Sequence, residues 1–105
     1  MNMDFVAECV RKDNFRFTQH ATIQRISREI KTKEIKYALL NGEIIERNPK
    51  DKPYPSCLIL GYLKSGDPIH IKCSKGIKVP KLRIVTVYEP SEEWEKDYKT
   101  RKKKR

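Results

Sequence analysis

The side chains best suited to chemistry lie in a basic segment of the first half of the chain, residues 18–28. At about 100° per residue of α-helix, Ile23, Ile26 and Ile30 form one apolar stripe. His20, Gln24, Arg25 and Arg28 fan out beside and opposite that stripe. A histidine can transfer a proton, and two guanidinium groups can grip and neutralise a phosphodiester. The segment therefore predicts a helix suited to binding a phosphodiester and to cutting it.

A second set of polar side chains lies in the strand-like second half. His70 and Lys72 alternate with Ile69, Ile71 and Cys73, so the two groups point to opposite faces of a strand. RNA carries its own nucleophile, the 2′-hydroxyl, so a protein can cut it by supplying a base, an acid and charge stabilisation. With His20, Arg25 and Arg28, the side chains of His70 and Tyr88 complete a set that can fill these roles.

Each of these residues also has a structural interpretation. A histidine near a helix start is often a surface or capping group, and both arginines can be solvated or paired with Glu29 or Glu34. His70 can be exposed without a role, and Tyr88 can belong to the core or its rim. From the residues alone, a catalytic site, a nucleic-acid-binding surface and a basic protein-interaction surface all stay open.

The charge of the chain favours an anionic partner. The 105 residues carry a formal net charge of +10. Residues 1–88 alone hold 17 basic and 9 acidic side chains, so the expected folded body is itself basic. The basic run at residues 99–105 is expected to be a disordered tail, which leaves residues 1–98 as a single domain.

Several classes of protein are disfavoured. No apolar run is long enough to cross a bilayer, and the first residues lack the pattern of a secretory signal, so we expect a cytoplasmic protein with no membrane role. Cys9, Cys57 and Cys73 are odd in number and widely spaced, which does not suggest a disulfide framework, and Cys57 and Cys73 fit buried small side chains. The histidines and carboxylates show no metal-ligand spacing, so neither a metal nor another cofactor is expected. The oligomeric state is not predicted.

The order of elements predicts an α+β fold. Three helices are expected first, with Thr18 as N-cap of the second and Thr32 of the third, and Gly42 as a stop that tolerates positive φ. Four strands follow, at residues 43–47, 56–62, 68–73 and 82–88. We expect the N-terminal helices to pack on one face of a four-stranded antiparallel sheet.

Five separated segments together resemble the small prokaryotic family called domain of unknown function 4258. The likeness spans roughly residues 14–98 and is carried by residues 17–28, 41–46, 54–61, 68–70 and 84–95. Members of the family usually have glycine after the second arginine, where this chain has Glu29. That carboxylate is expected to let the helix run one residue further and to weaken phosphate affinity at Arg28.

The resemblance implies a function. Members of this family resemble the toxin halves of toxin–antitoxin pairs, and by extension the RelE and MqsR ribonucleases of RelE/barnase-like fold. It implies a metal-independent endoribonuclease, with RNA as substrate and a zinc-finger antitoxin as partner. The implied catalytic residues are His20, Arg25, Arg28, His70 and Tyr88. The RNA-binding residues expected beside them are Gln24, Lys72, Lys75 and Thr86.

Overall fold

A computed structural model describes residues 1–103 of the chain. It contains three helices and five strands in the order α1, β1, α2, α3, β2, β3, β4, β5. Their bounds are α1 Met3–Arg11, β1 Phe15–Phe17, α2 Gln19–Ser27, α3 Thr32–Leu40, β2 Glu43–Asn48, β3 Ser56–Tyr62, β4 Pro68–Lys75 and β5 Leu82–Tyr88. The α+β class and the four predicted strands are confirmed, with β2 and β4 slightly longer than expected.

The sheet differs from the prediction in number and direction of strands. It has five strands in the order β1-β5-β4-β3-β2. The added strand β1 pairs in parallel with β5, while the other neighbours are antiparallel, so the sheet is mixed and not a four-stranded antiparallel one. The three residues of β1 are too few to show a strand period, and only pairing with β5 defines them as a strand.

One face of the sheet packs on the helices. Strand residues such as Ile59, Ile71 and Ile84 form the core with helix residues such as Val10 and Leu39, and all five are fully buried. Because side chains alternate along a strand, the intervening residues point to the opposite face, which we call the helix-free face. β3 is buried on both faces, as its continuous apolar sequence predicts.

A C-terminal segment, residues 91–103, covers part of the helix-free face. Trp94 in this segment is only 4% exposed. Lys99 and Arg101 form ion pairs with Glu43 and Glu46 of β2. The contacts of the described residues thus reach beyond residue 98, into the run at residues 99–105 that was expected to be a disordered tail. Residues 104 and 105 of that expected tail lie outside the described residues.

Both ends of α3 differ from the sequence prediction. Lys31, not Thr32, is the N-cap of α3, and its backbone N–H donates to Glu34 Oε2 at 2.8 Å. Gly42 does not take a positive φ. A Cβ at this glycine would lie 2.8 Å from both the Ala38 carbonyl oxygen and Ile59 Cγ2, so glycine is needed because α3 and β3 approach closely.

Candidate nucleic-acid interface

The N-terminus of α2 is fixed to the edge of β5 by Thr18. Its hydroxyl accepts from the Ala21 N–H at 3.1 Å, which confirms the predicted N-cap. The same hydroxyl donates to the Val85 carbonyl at 3.1 Å, and the Thr18 N–H donates to the Ile84 carbonyl at 2.9 Å. These bonds continue the β1–β5 pairing beyond the end of β1, so α2 closes an otherwise open strand edge.

Gln24 attaches α2 to β5 a second time, about one and a half turns further along the helix. Its side-chain oxygen accepts from the Val87 N–H at 2.7 Å. Val87 is fully buried, so its N–H would otherwise lose its hydrogen bond to water without replacement. Gln24 was expected to bind RNA. In the structure its side chain instead holds α2 against β5.

Arg25 is also engaged within the fold. Its guanidinium carbon lies 5.1 Å from the centre of the Phe17 ring, and Nη1 donates to the Ile30 carbonyl at 3.0 Å. Its Nε is buried and has no hydrogen-bond partner among the described residues. The side chain is therefore directed towards the body of the protein, away from the surface on which a phosphate was expected.

His20 and Arg28 are the exposed members of the helical group. His20 precedes Gln24 by one helical turn, so it lies on the side of α2 that borders β5. Arg28 Nη1 donates to the Gln24 carbonyl at 3.3 Å, and the residue remains exposed. Of the four helical residues in the predicted site, these two are exposed, whereas Gln24 and Arg25 are half-buried.

The isoleucine stripe of α2 faces solvent over most of its length, whereas the apolar side of an amphipathic helix usually faces the core. Ile23 and Ile26 are each 60% exposed, whereas Ile30 lies beyond the helix and is buried. The side of α2 that meets the body of the protein carries Gln24 and the fully buried Ala21. An edge presents backbone N–H and carbonyl groups, so polar side chains suit it better than isoleucine.

The end of α2 overturns the expectation for Glu29. The helix ends at Ser27, and Glu29 has φ 56°, in the left-handed region that favours glycine. The Ile30 N–H donates to the Arg25 carbonyl and the Glu29 N–H to the Ile26 carbonyl, both at 3.0 Å. This pair of bonds is the Schellman motif, so the helix is not extended by Glu29.

His70 is sealed between the sheet and the C-terminal segment. It is 0% exposed, and its ring makes an edge contact with Trp94 at a centroid distance of 4.4 Å. Nε2 lies 2.7 Å from the Tyr98 carbonyl oxygen, so it must donate, and Nδ1 then accepts from the Tyr88 hydroxyl at 3.1 Å. Burial lowers the pKa of His70, an effect opposed by the Tyr98 carbonyl and by Glu46.

The two histidines therefore do not form one site. Both ring nitrogens of His70 are occupied and the side chain is closed to solvent, while His20 is exposed on α2. In this structure, no single ligand can contact both imidazoles. The proton-donor role expected of His70 has no geometric support.

Other predicted site residues do meet on the helix-free face. A cavity of about 250 Å³ contains Lys72, Thr86 and Tyr88 in its wall. Its remaining lining residues are Glu46, Asn48, Leu58 and Arg101. The Lys72 ammonium pairs with Asp51 at 2.8 Å, and burial raises the pKa of the Tyr88 hydroxyl. Positive and negative groups are mixed here, so the cavity is not strongly cationic.

A more cationic groove lies nearby, at the end of the sheet where the β2–β3 and β4–β5 loops meet. It has a volume of about 560 Å³. The lining residues are Arg16, Pro53, Tyr54, Gly76, Ile77, Lys78, Val79, Pro80 and Arg83. We call this site the basic groove. Its lining, taken from the described residues, has three cationic side chains and no carboxylate.

Strand pairing creates the basic groove. Arg16 and Arg83 are direct partners in the parallel β1–β5 ladder, so their side chains leave the same face of the sheet side by side. The Arg83 guanidinium lies 5.2 Å from the centre of the Tyr54 ring, and its Nη1 lies 3.4 Å from Ser74 Oγ. Two guanidinium groups and an aromatic ring are thus held together from three separate parts of the chain.

The sequence pattern does not reveal this groove. Arg16 alternates with Phe15 and Phe17, and Arg83 alternates with Leu82 and Ile84, so each arginine could be placed opposite a buried face. Their proximity depends on the register of β1 with β5, which the sequence pattern does not define. Lys75, predicted to bind RNA, lies outside the groove with its ammonium 5.0 Å from the centre of the Phe5 ring.

The described residues contain no group of three or more His, Cys, Asp or Glu side chains placed to hold a metal ion. They also contain no helix that combines the length and the apolar character required to span a bilayer.

Comparison with known proteins assigns the chain to a family. Residues 17–89 match the family model described as Domain of unknown function (DUF4258). The match covers well over half of the chain, so the protein belongs to this family. Comparisons with curated proteins and with solved structures found no match.

Proposed function

We propose that this protein binds RNA through the basic groove on the helix-free face of its sheet. The observation that carries the proposal is the set of Arg16, Lys78 and Arg83 in one groove whose described lining has no carboxylate. Cations in a concave surface attract a polyanion and release its counterions on binding. The Tyr54 ring beside Arg83 offers a surface on which a base can stack.

RNA fits this surface better than an acidic protein does. Arg83 and Tyr54 form a cation–aromatic pair, and Ile77 and Val79 at the groove are 71% and 77% exposed. A strand of RNA offers alternating phosphates and flat bases that match this mixture of cations and apolar surface. An acidic protein surface would meet the cations but would gain less from the exposed apolar side chains.

Cleavage of RNA is a finer proposal, favoured by the exposure of His20 at the edge of β5. In this version His20 is the general base or acid, and Arg28 neutralises the scissile phosphate. Because His70 is sealed, the complementary proton donor has to come from another group. Tyr88 is the remaining candidate of the predicted set, and its hydroxyl would have to give up its hydrogen bond to His70 Nδ1 to fill this role. The toxin role, a RelE-like fold, the zinc-finger antitoxin and the cytoplasmic location rest on sequence interpretation.

RNA binding is tested by titrating a labelled single-stranded oligoribonucleotide with the full chain at several salt concentrations. We expect an affinity that falls steeply with salt, with a slope of roughly 0.7 per phosphate contacted. An acidic protein of similar net charge, titrated in parallel, should bind more weakly. No RNA binding at low salt, or tighter binding to the acidic protein, would contradict the proposal.

Cleavage is tested by incubating the chain and its His20→Ala and Arg28→Ala variants with total RNA and with ribosome-bound messenger RNA, in the presence of a chelator. New RNA ends are expected from the parent chain and at least a hundredfold fewer from His20→Ala. Equal cleavage by parent and His20→Ala, or none by either, would reject His20 as a catalytic residue. The binding proposal would stand independently.

A further inference from the structure

A third cavity adjoins the basic groove. It has a volume of about 490 Å³, within the usual range of ligand pockets, and its wall is mostly apolar. Its lining residues are Met1, Arg47, Pro49, Tyr54, Pro55, Ser56, Cys57, Lys75, Gly76 and Ile77. We call it the apolar pocket. No residue of the predicted site other than Lys75 contributes to it.

The apolar pocket and the basic groove share one wall. Tyr54, Gly76 and Ile77 line both cavities, so the two spaces lie on either side of these residues. A ligand can therefore place an anionic part against Arg16 and Arg83 and a flat apolar part in the neighbouring pocket. The junction is a tight loop, because a Cβ on Gly76 would lie 2.8 Å from the Pro80 carbonyl oxygen.

Two cations border the apolar pocket without filling it. Arg47 Nη1 donates to the Met1 carbonyl, and the Lys75 ammonium lies over the Phe5 ring. Their positive charge favours an electron-rich ligand with hydrogen-bond acceptors. The thiol of Cys57 is buried and its pKa is raised by burial, so it contributes an apolar surface.

We infer that the apolar pocket accepts a nucleobase of a single-stranded RNA whose phosphate lies in the basic groove. This inference rests on the proposed RNA binding and adds its substrate class. A duplex keeps its bases stacked and paired, whereas a single strand can turn one base out of the chain into a pocket. Tyr54 and Ile77 then contact the base, and Arg16 and Arg83 hold the adjoining phosphate.

The test compares three RNA ligands of equal length at the same salt concentration: a single strand, the same backbone with abasic positions, and a duplex. The parent chain should bind the base-bearing single strand about tenfold more tightly than the abasic strand. It should also prefer the single strand to the duplex. A 2-aminopurine placed in the single strand should change its fluorescence on binding as it enters the pocket.

Variants of the wall that the two cavities share test whether the base binds in the apolar pocket. Tyr54→Ala and Ile77→Ala should reduce the tenfold preference for base-bearing RNA to less than threefold, and Tyr54→Phe should retain it because the ring is kept. Ile77 is 71% exposed, so its truncation does not threaten folding. Ile26→Ala is the matched control, since Ile26 is an exposed isoleucine that lines neither cavity, and it should keep the preference.

The outcomes separate the two proposals. Equal affinity for base-bearing and abasic strands would overturn the base pocket and leave RNA binding in place. Binding to none of the three ligands would overturn both. A preference that survives both Tyr54→Ala and Ile77→Ala would place the base elsewhere and likewise overturn the assignment of this pocket.

Discussion

His70 and Arg83 lie on the same face of the sheet, on neighbouring strands, and have opposite surroundings. His70 belongs to a covered half, where Trp94 packs against its ring, and the Tyr88 hydroxyl and the Tyr98 carbonyl occupy its two ring nitrogens. Arg83 belongs to an open half, where its guanidinium and that of Arg16 line a groove. Alternation along the strands directs both side chains to the helix-free face. Only His70 is covered by the C-terminal segment, so a ligand can reach Arg83 but not His70.

The difference shows how to separate structural from functional polar residues here. In the covered half, hydrogen bonds of His70 are satisfied within the protein, so its removal is expected to affect stability. In the open half, the cations lack carboxylate neighbours in the described groove lining, so their removal is expected to affect binding.

The largest effect is expected from Trp94→Ala in the covered half. Trp94 is 4% exposed, packs on His70 and lies under Arg101, so its truncation should lower the free energy of unfolding by about 3 kcal/mol. Urea denaturation measures the loss. Tyr62→Ala, at a 42% exposed aromatic residue, is the control and should cost much less. An unchanged unfolding midpoint for Trp94→Ala would mean that the segment does not cover this half.

A smaller loss is expected from Gln24→Ala at the edge of β5. The Val87 N–H would lose its acceptor and remain buried, at a cost of about 1–2 kcal/mol. The exposed Gln19→Ala variant, in the first turn of the same helix, should change stability by less than about 0.5 kcal/mol. Equal unfolding midpoints for the two variants would show that Gln24 does not anchor α2, and would reopen an RNA-binding role for it.

Glu29→Gly should instead stabilise the protein. At φ 56° a glutamate is strained and a glycine is not, so the glycine variant should be more stable than Glu29→Ala by about 1 kcal/mol. Both variants remove the carboxylate, so only backbone strain separates their melting temperatures. An alanine variant as stable as the glycine variant would contradict the left-handed conformation at this helix end.

The smallest expected effect is the pH dependence of the covered half. Burial lowers the pKa of His70 below its ordinary 6.5, and this shift is partly opposed by Tyr98 and Glu46. The unfolded chain then binds a proton before the folded chain does, so the stability is full above about pH 7 and declines as pH falls below 6.5. His70→Gln should flatten the decline in urea denaturation between pH 7.5 and 5, and His20→Gln should not. An identical pH profile for all three chains would show that His70 is not buried as described.

The sequence was sufficient for the long elements and their faces. The apolar run of β3 and the alternation around His70 predict strands correctly, and Thr18 predicts the start of α2. These signals are local, because each depends on residues within one element. The burial of His70 was not predictable in this way, since it depends on Trp94 and Tyr98 far along the chain.

The candidate site was less predictable than the fold. Arg25 belongs to a basic helical pattern, yet it stacks on Phe17 because α2 meets a strand edge. Arg16 lies in a three-residue strand that has no period of its own, and its partnership with Arg83 arises from register. Tertiary packing therefore placed a cationic groove at the end of the sheet, outside the helix on which the site was predicted.

Two double variants that remove equal charge distinguish RNA binding in the basic groove from RNA binding by the overall charge of the protein. Arg16→Ala/Arg83→Ala removes two cations from the basic groove, and Lys33→Ala/Lys64→Ala removes two at residues that do not line it. We predict that the first pair weakens binding of single-stranded RNA at least tenfold and lowers the salt slope by about 1.4, while the second changes neither appreciably. Equal effects of the two pairs would mean that RNA is held by overall charge alone, which would contradict the assignment of the basic groove.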